Sequence, residues 1–127
     1  MDIFLKEVFN KEHFLPNQRE IIEQILNDRD VIAVLPTSAG KSICYQFPAV
    51  FGKKCFVVIS PLKALMHNQI ADLREKFGIT AVQYSSAVSD DEKRRILTEI
   101  VNESSAIFIL YTTPESLQST ALRGALQ

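Results

Sequence analysis

Val31-Ile32-Ala33-Val34-Leu35-Pro36-Thr37-Ser38-Ala39-Gly40-Lys41-Ser42 passes from β-branched apolar residues through a loop of small ones into Gly-Lys-Ser. The order predicts a strand, a short loop and the start of a helix. At a helix N-terminus the unpaired backbone N–H groups and the positive end of the dipole point the same way, so such a loop suits a polyphosphate. Lys41 then reaches the β- and γ-phosphates of a nucleotide and the Ser42 hydroxyl ligates Mg²⁺. Leu35 stands where the full pattern G-x-x-x-x-G-K-[ST] has its first glycine, so the surroundings of the loop have to decide its meaning.

With 127 residues, 46% of them hydrophobic and 23% charged, the chain has the length and composition of one globular domain with a buried core. Its net charge of −1 excludes the strongly basic surface of many stand-alone DNA-binding domains, so any nucleic-acid contact has to be local. The apolar runs are too short to cross a bilayer, and Met1-Asp2-Ile3-Phe4-Leu5-Lys6 lacks a basic segment followed by an apolar one. An intracellular protein with no membrane partner is expected. Cys44 and Cys55 lie in apolar surroundings without metal-ligand spacing and are expected as reduced core thiols, with no metal held by cysteine.

Taken in order, Asp2 is expected to cap a helix over 3–9 with Phe4, Leu5, Val8 and Phe9 on one side. Pro16 suits the first turn of a second helix carrying Ile21, Ile22, Ile25 and Leu26, and Asn27-Asp28-Arg29-Asp30 breaks it before the strand at Val31. The helix that begins near Lys41 is expected to be interrupted around Pro48 and to finish by Gly52. A strand follows over 55–60, then a helix over 62–77 with Leu65, Met66, Ile70, Leu73 and Phe77 on one face, stopped by Gly78. Residues 80–84 read as a third strand, Ser89-Asp90-Asp91-Glu92 as a capping box with Ile96, Leu97, Ile100 and Val101 inward, and 106–111 as a fourth strand. The alternation predicts an α/β fold: a parallel sheet with helices on both faces and ligands at the carboxyl ends of the strands.

Four segments in one order carry a resemblance. They are Phe9 with Phe14-Leu15-Pro16-Asn17-Gln18; Pro36-Thr37-Ser38-Ala39-Gly40-Lys41-Ser42 with Cys44-Tyr45-Gln46 and Pro48; Ser60-Pro61-Leu62 with Ala64-Leu65-Met66 and Gln69; and Tyr111 with Pro114-Glu115. Over nearly its whole length the chain resembles the N-terminal part of the first RecA-like lobe of a RecQ-family DNA helicase. That resemblance implies a RecA-like P-loop NTPase lobe, incomplete here, with N-terminal helices and an adenine-recognition segment in 1–30 and the partial ATP-binding lobe in 31–127, one domain overall. It implies ATP and Mg²⁺ as cofactors, single-stranded DNA or duplex junctions as partners, a downstream helicase lobe as a further partner, and three-prime to five-prime unwinding in DNA repair and recombination. The compartment it implies is the nucleus in a eukaryote or the cytoplasm and nucleoid in a bacterium.

By the same resemblance Gln18 recognises adenine, Pro36 to Ser42 hold the phosphates, and Lys41 is the catalytic lysine. Ser60, Pro61, Leu62, Lys63 and Gln69, with Thr113, Pro114 and Glu115, lie along the DNA. The residue chemistry is compatible: Gln18 has the donor and acceptor that the N6 and N7 edge of adenine needs, and Ser60 and Lys63 can donate to phosphate oxygens. Plainer readings stand beside these. Gln18 reads equally as a solvent-facing residue in a first helical turn, and Thr37 as a helix cap. Ser60-Pro61 and Thr113-Pro114-Glu115 each read as an N-cap, a first-turn proline and, in the second case, a dipole-favoured acid. Ser85 and Ser86 loosely match a family position near the DNA path and read more plainly as turn residues, and His13 and His67 read as solvated ones. Ser38, Asn10, Lys11 and Leu15 depart from the glycine, small, aromatic and arginine residues usual in the family.

In the family the next element is a strand ending in Asp-Glu-x-His, which holds Mg²⁺ and orients the attacking water, and a second lobe supplies an arginine. The 127 residues contain no Asp-Glu-x-His, and Asp90-Asp91-Glu92 reads as capping charge. The expectation is a truncated helicase that binds ATP and single-stranded DNA without hydrolysing or unwinding alone. The alternative is a non-catalytic nucleotide-binding remnant or regulatory module; a small kinase fits worse, because Ser60-Pro61-Leu62 has no purpose there.

Overall fold

The computed structural model describes residues 1–35, 41–53, 55–102 and 107–126, and its backbone divides into two compact units, Met1–Lys54 and Cys55–Gln127. In the first unit the apolar spacing seen in the sequence produces α1 (Asp2–Phe9), α2 (Gln18–Leu26) and α3 (Ile43–Phe51), with α2 packed on α3. Leu5, Phe9, Ile22 and Phe47 are buried. The Phe47 ring touches the rings of Phe4, Phe9, Phe14 and Phe51 at centroid distances of 5.2 to 5.9 Å. Such pairs contribute about 0.5–1.5 kcal/mol each beyond their buried area. Together the four contribute about 2–6 kcal/mol, the same order as the ~3 kcal/mol that a proline inside a helix costs, and α3 continues through Pro48 instead of being interrupted there.

Other local expectations in this unit change. Met1, not Asp2, is the N-cap of α1, and the Asp2 carboxylate is drawn off to the Arg19 guanidinium. The second helix opens at Gln18 behind Asn17, whose φ is +71°, so Pro16 lies in the preceding turn and not in the first helical turn. Residues 31–35 form no strand: Ile32 is 97% and Val34 92% exposed. β-Branched composition favours a pleated surface but makes a strand only where a neighbour completes the ladder, and none does so among the described residues.

The second unit is a parallel sheet with helices around it. Strands β1 (Phe56–Ile59), β2 (Ala81–Tyr84) and β3 (Ile109–Thr112) lie in the order β1-β3-β2, with Ile59 and Tyr84 both level with Thr112. Helices α4 (Lys63–Phe77), α5 (Asp90–Ile100), α6 (Pro114–Leu117) and α7 (Thr120–Leu126) complete it. Central β3 is buried along its whole length, as a strand paired on both edges demands. The expected fourth strand is this one; of its predicted range, Ala106 lies outside the described residues. The core joins Tyr84, Ile96, Leu110 and Leu122.

Two helix signals read from the sequence, at Gly78 and Ser89, are realised in this unit. Gly78 ends α4 at φ +65°, and the Ser89 hydroxyl accepts the Glu92 N–H at the start of α5. Two residues assigned inward are exposed. Leu65 leaves the stripe that Met66 and Leu73 bury, and Val101 stands 63% exposed because α5 ends at Ile100 and Val101 is its C-cap. Cys44 is buried, whereas Cys55, just ahead of β1, is an exposed thiol rather than a core one. Among the described residues no helix is long and apolar enough to cross a membrane.

Candidate nucleotide and nucleic-acid site

Because β1, β2 and β3 are parallel and in register, their carboxyl ends share one edge of the sheet. Three chain segments leave from it: Ser60 to Lys63 after β1, Ser85 and Ser86 after β2, and Thr113 to Glu115 after β3. Hydrogen bonds tie them to the strands. Ser60 N–H donates to the Thr112 carbonyl at 2.9 Å, and Thr112 Oγ1 donates to the Tyr84 carbonyl at 2.7 Å.

The first segment is shaped by Ser60, whose Oγ accepts the Leu62 N–H at 3.2 Å. Helix α4 then begins at Lys63 with Leu62 as N-cap, so Ser60 and Pro61 precede the helix instead of serving as its cap and first residue. Pro61, Leu62 and Lys63 are exposed. Gln69, six residues along α4, sits about 9 Å further down the axis at the ordinary helical rise. In the third segment the helix-start chemistry holds: Thr113 Oγ1 accepts the Ser116 N–H at 3.2 Å, Pro114 occupies the first turn and Glu115 follows. Thr113 is buried, while Pro114 and Glu115 face solvent. The edge therefore presents Lys63 as a cation and Glu115 as an anion, with hydroxyls at Ser60 and Ser86.

Gln18 is 3% exposed, which replaces the solvent-facing reading. Its Oε1 accepts the Leu15 N–H at 2.7 Å while its own N–H donates to the Leu15 carbonyl at 3.1 Å. The side chain thus closes the Leu15-Pro16-Asn17 turn, and Asn17 supplies the left-handed residue that turn needs. Arg19 lies 5.2 Å from the centre of the Phe14 ring.

Of the predicted phosphate loop, Pro36, Thr37, Ser38, Ala39 and Gly40 lie outside the described residues. Lys41 and Ser42 form a turn that feeds α3: the Lys41 carbonyl accepts Cys44 N–H at 3.1 Å and the Ser42 carbonyl accepts Gln46 N–H at 3.0 Å. Lys41 is exposed, and among the described residues no carboxylate pairs with it. A lysine ahead of a helix's first turn sits at the positive end of the dipole, where only an anion makes it favourable. Lys41 and Ser42 are the two members of the predicted phosphate-holding set that lie among the described residues. Among the described residues no group of three or more His, Cys, Asp or Glu side chains is placed to hold a metal by itself.

The sequence gives Ser86 a loose match to a family position near the DNA and a plainer turn reading, but not its partner: the Lys63 ammonium donates to Ser86 Oγ. The available signal was that both residues follow strands of one parallel sheet and so emerge at one edge.

Comparison with known proteins gives these positions a family. The sequence matches the DEAD/DEAH box helicase family over residues 15–127. It is 39% identical to an ATP-dependent DNA helicase of Caenorhabditis elegans over 89% of this chain and 18% of that protein. It is 37% identical to the ATP-dependent DNA helicase RecQ of Synechocystis over 91% of this chain and 23% of that protein. A relative in Acanthamoeba polyphaga mimivirus, 42% identical over 89% of this chain and 20% of its own length, is named as an ATP-dependent RNA helicase. The chain spans about a fifth of the length of these relatives. The parallel sheet, the strand-end segments and the sequence matches together place the chain in the DEAD/DEAH box helicase family, among its RecQ-type members.

Proposed function

We propose that this chain is the nucleotide- and single-strand-binding part of a RecQ-type, three-prime to five-prime DNA helicase, acting on DNA in the nucleus or nucleoid. The observation that carries the reading is the shared carboxyl edge of β1, β2 and β3, where Ser60, Lys63 and the Thr113 segment emerge together. Phosphate oxygens on a single strand meet there one cation and a set of hydroxyl and backbone donors, a sequence-independent grip. On the nucleotide side, Lys41 neutralises the terminal phosphates, Ser42 holds Mg²⁺, and Gln18, anchored by the Leu15 turn, contacts the adenine edge. Bound Mg²⁺ supplies charge neutralisation between the phosphates.

The part assigned to these 127 residues is binding; completing the metal site and orienting water needs an Asp-Glu-x-His carboxylate pair, which is not among them.

Titration with a fluorescent ATP analogue and Mg²⁺ tests the proposal. Removing a charge-assisted contact is worth ~1.5–3 kcal/mol, so Lys41→Ala is expected to weaken binding about ten- to a hundredfold. Unchanged affinity overturns the phosphate assignment. ATP hydrolysis stimulated by DNA above the Lys41→Ala background overturns the binding-only assignment. Parallel titrations with single-stranded DNA and RNA decide the nucleic acid, with DNA the expected preference.

A further inference from the structure

We propose that Ser86 is a positioning residue that holds the Lys63 ammonium across the end of β3, presenting it to the phosphodiester backbone of a single strand; this rests on the nucleic-acid reading of that edge. Lys63 follows outer strand β1, Ser86 follows the opposite outer strand β2, and the Lys63 ammonium donates to Ser86 Oγ. The bond therefore spans the end of the central strand.

Both ends of the bond are fixed to the sheet. On one side Ser60 N–H is held by the Thr112 carbonyl and Ser60 Oγ by Leu62 N–H, which sets where Lys63 begins α4. On the other, fully buried Ser85 accepts from Gln83 Nε2 at 2.9 Å and from Ala87 N–H at 3.2 Å through its Oγ. The Ser85 carbonyl also accepts Val88 N–H at 3.1 Å, closing a turn with Ser86 at an exposed inner position. Ser86 is thus a rigidly placed acceptor with no packing role of its own.

An exposed lysine loses on the order of 1.5–2 kcal/mol of rotamer freedom when it is ordered by a ligand. A lysine already held loses less, which is preorganisation. One ammonium has three donors, so the Ser86 bond leaves two directions for phosphate oxygens.

The test is fluorescence anisotropy of the 127-residue chain with a fluorescein-labelled oligothymidylate, at salt from about 50 to about 200 mM. Lys63→Ala is expected to weaken binding about tenfold at the low end and to reduce the salt slope by about 0.7, the loss of one phosphate neutralisation on a single strand. Ser86→Ala is expected to weaken binding about threefold with the slope unchanged, because no charge is removed; Ser86→Thr restores it. In a Lys63→Ala background Ser86→Ala is expected to have no further effect, a readout that a merely structural role would not produce. Unchanged or tighter binding by Ser86→Ala overturns the positioning role, as does an equal loss in both backgrounds. If Lys63→Ala itself leaves affinity and slope intact, the nucleic-acid reading of this edge fails and the proposal with it.

Discussion

Thr112 Oγ1 donates to the Tyr84 carbonyl across the β2–β3 boundary at 2.7 Å, and Thr112 is fully buried. Val in its place keeps the shape and removes the donor. A buried hydrogen bond contributes about 1 kcal/mol net, and leaving its acceptor unpaired costs about 1–3 kcal/mol. Thr112→Val is therefore expected to lower protection of the β2 and β3 amides in native-state hydrogen exchange by about 1–3 kcal/mol, with Thr112→Ser retaining most of it. Equal protection in Thr112→Val and the parent would show that the bond contributes nothing.

The end of α3 offers a paired prediction. Gly52 has an ordinary φ of −83°, but a Cβ there would come 2.8 Å from the Pro48 carbonyl oxygen, so glycine is required for space and not for conformation. The next residue, Lys53, takes φ +54° without being glycine. A non-glycine residue in this region is strained by about 1 kcal/mol. Lys53→Gly is expected to raise stability, or leave it unchanged after the added flexibility of the unfolded chain, whereas Gly52→Ala lowers it by about 1–3 kcal/mol. Urea midpoints followed by far-ultraviolet circular dichroism check both signs.

Sequence and structure agree at some local signals and not at others: the caps read at Asp2 and Ser60 fall on Met1 and Leu62 instead. Ser89 with Glu92 and Gly78 after α4 each act within a few residues, so a cap or a left-handed stop was readable from chain neighbours. The strand expected at 31–35 failed for the opposite reason: its ladder depends on a partner remote in sequence. Pro48 misled because the four rings around Phe47 come from α1, the segment after it and α3 itself, a set that periodicity alone cannot assemble. In the site, the parallel alternation correctly brought the segments after β1 and β3 to one edge. It could not show that Lys63 reaches the turn after β2, which depends on the order β1-β3-β2.

Burial pushes the Cys44 thiol pKa up from its ordinary value. Below the unfolded-state pKa, about 8.5, the thiol is protonated in both states and the native form keeps its full stability. Above it the unfolded chain loses the proton first and binds fewer protons than the native one. Stability therefore falls as pH rises from there through the raised folded value. Cys44→Ala is expected to show a shallower alkaline loss than the parent in urea midpoints measured across that window. Identical slopes would mean that Cys44 does not titrate with unfolding.

Ile32 and Val34 are almost wholly exposed in a β-branched run that pairs with no described strand. An exposed, uncharged stretch of this composition is a template for intermolecular pairing. Charge placed on it disfavours that pairing, while full exposure in the monomer means that little native packing is lost. Ile32→Lys with Val34→Lys is expected to reduce light scattering of the concentrated chain and to leave its circular dichroism melt within about 0.5 kcal/mol of the parent. Loss of helical signal in the double variant would instead place the run inside the packed structure. Unchanged scattering would move the association to another surface, such as the exposed side of β1 at Val57 and Ile59.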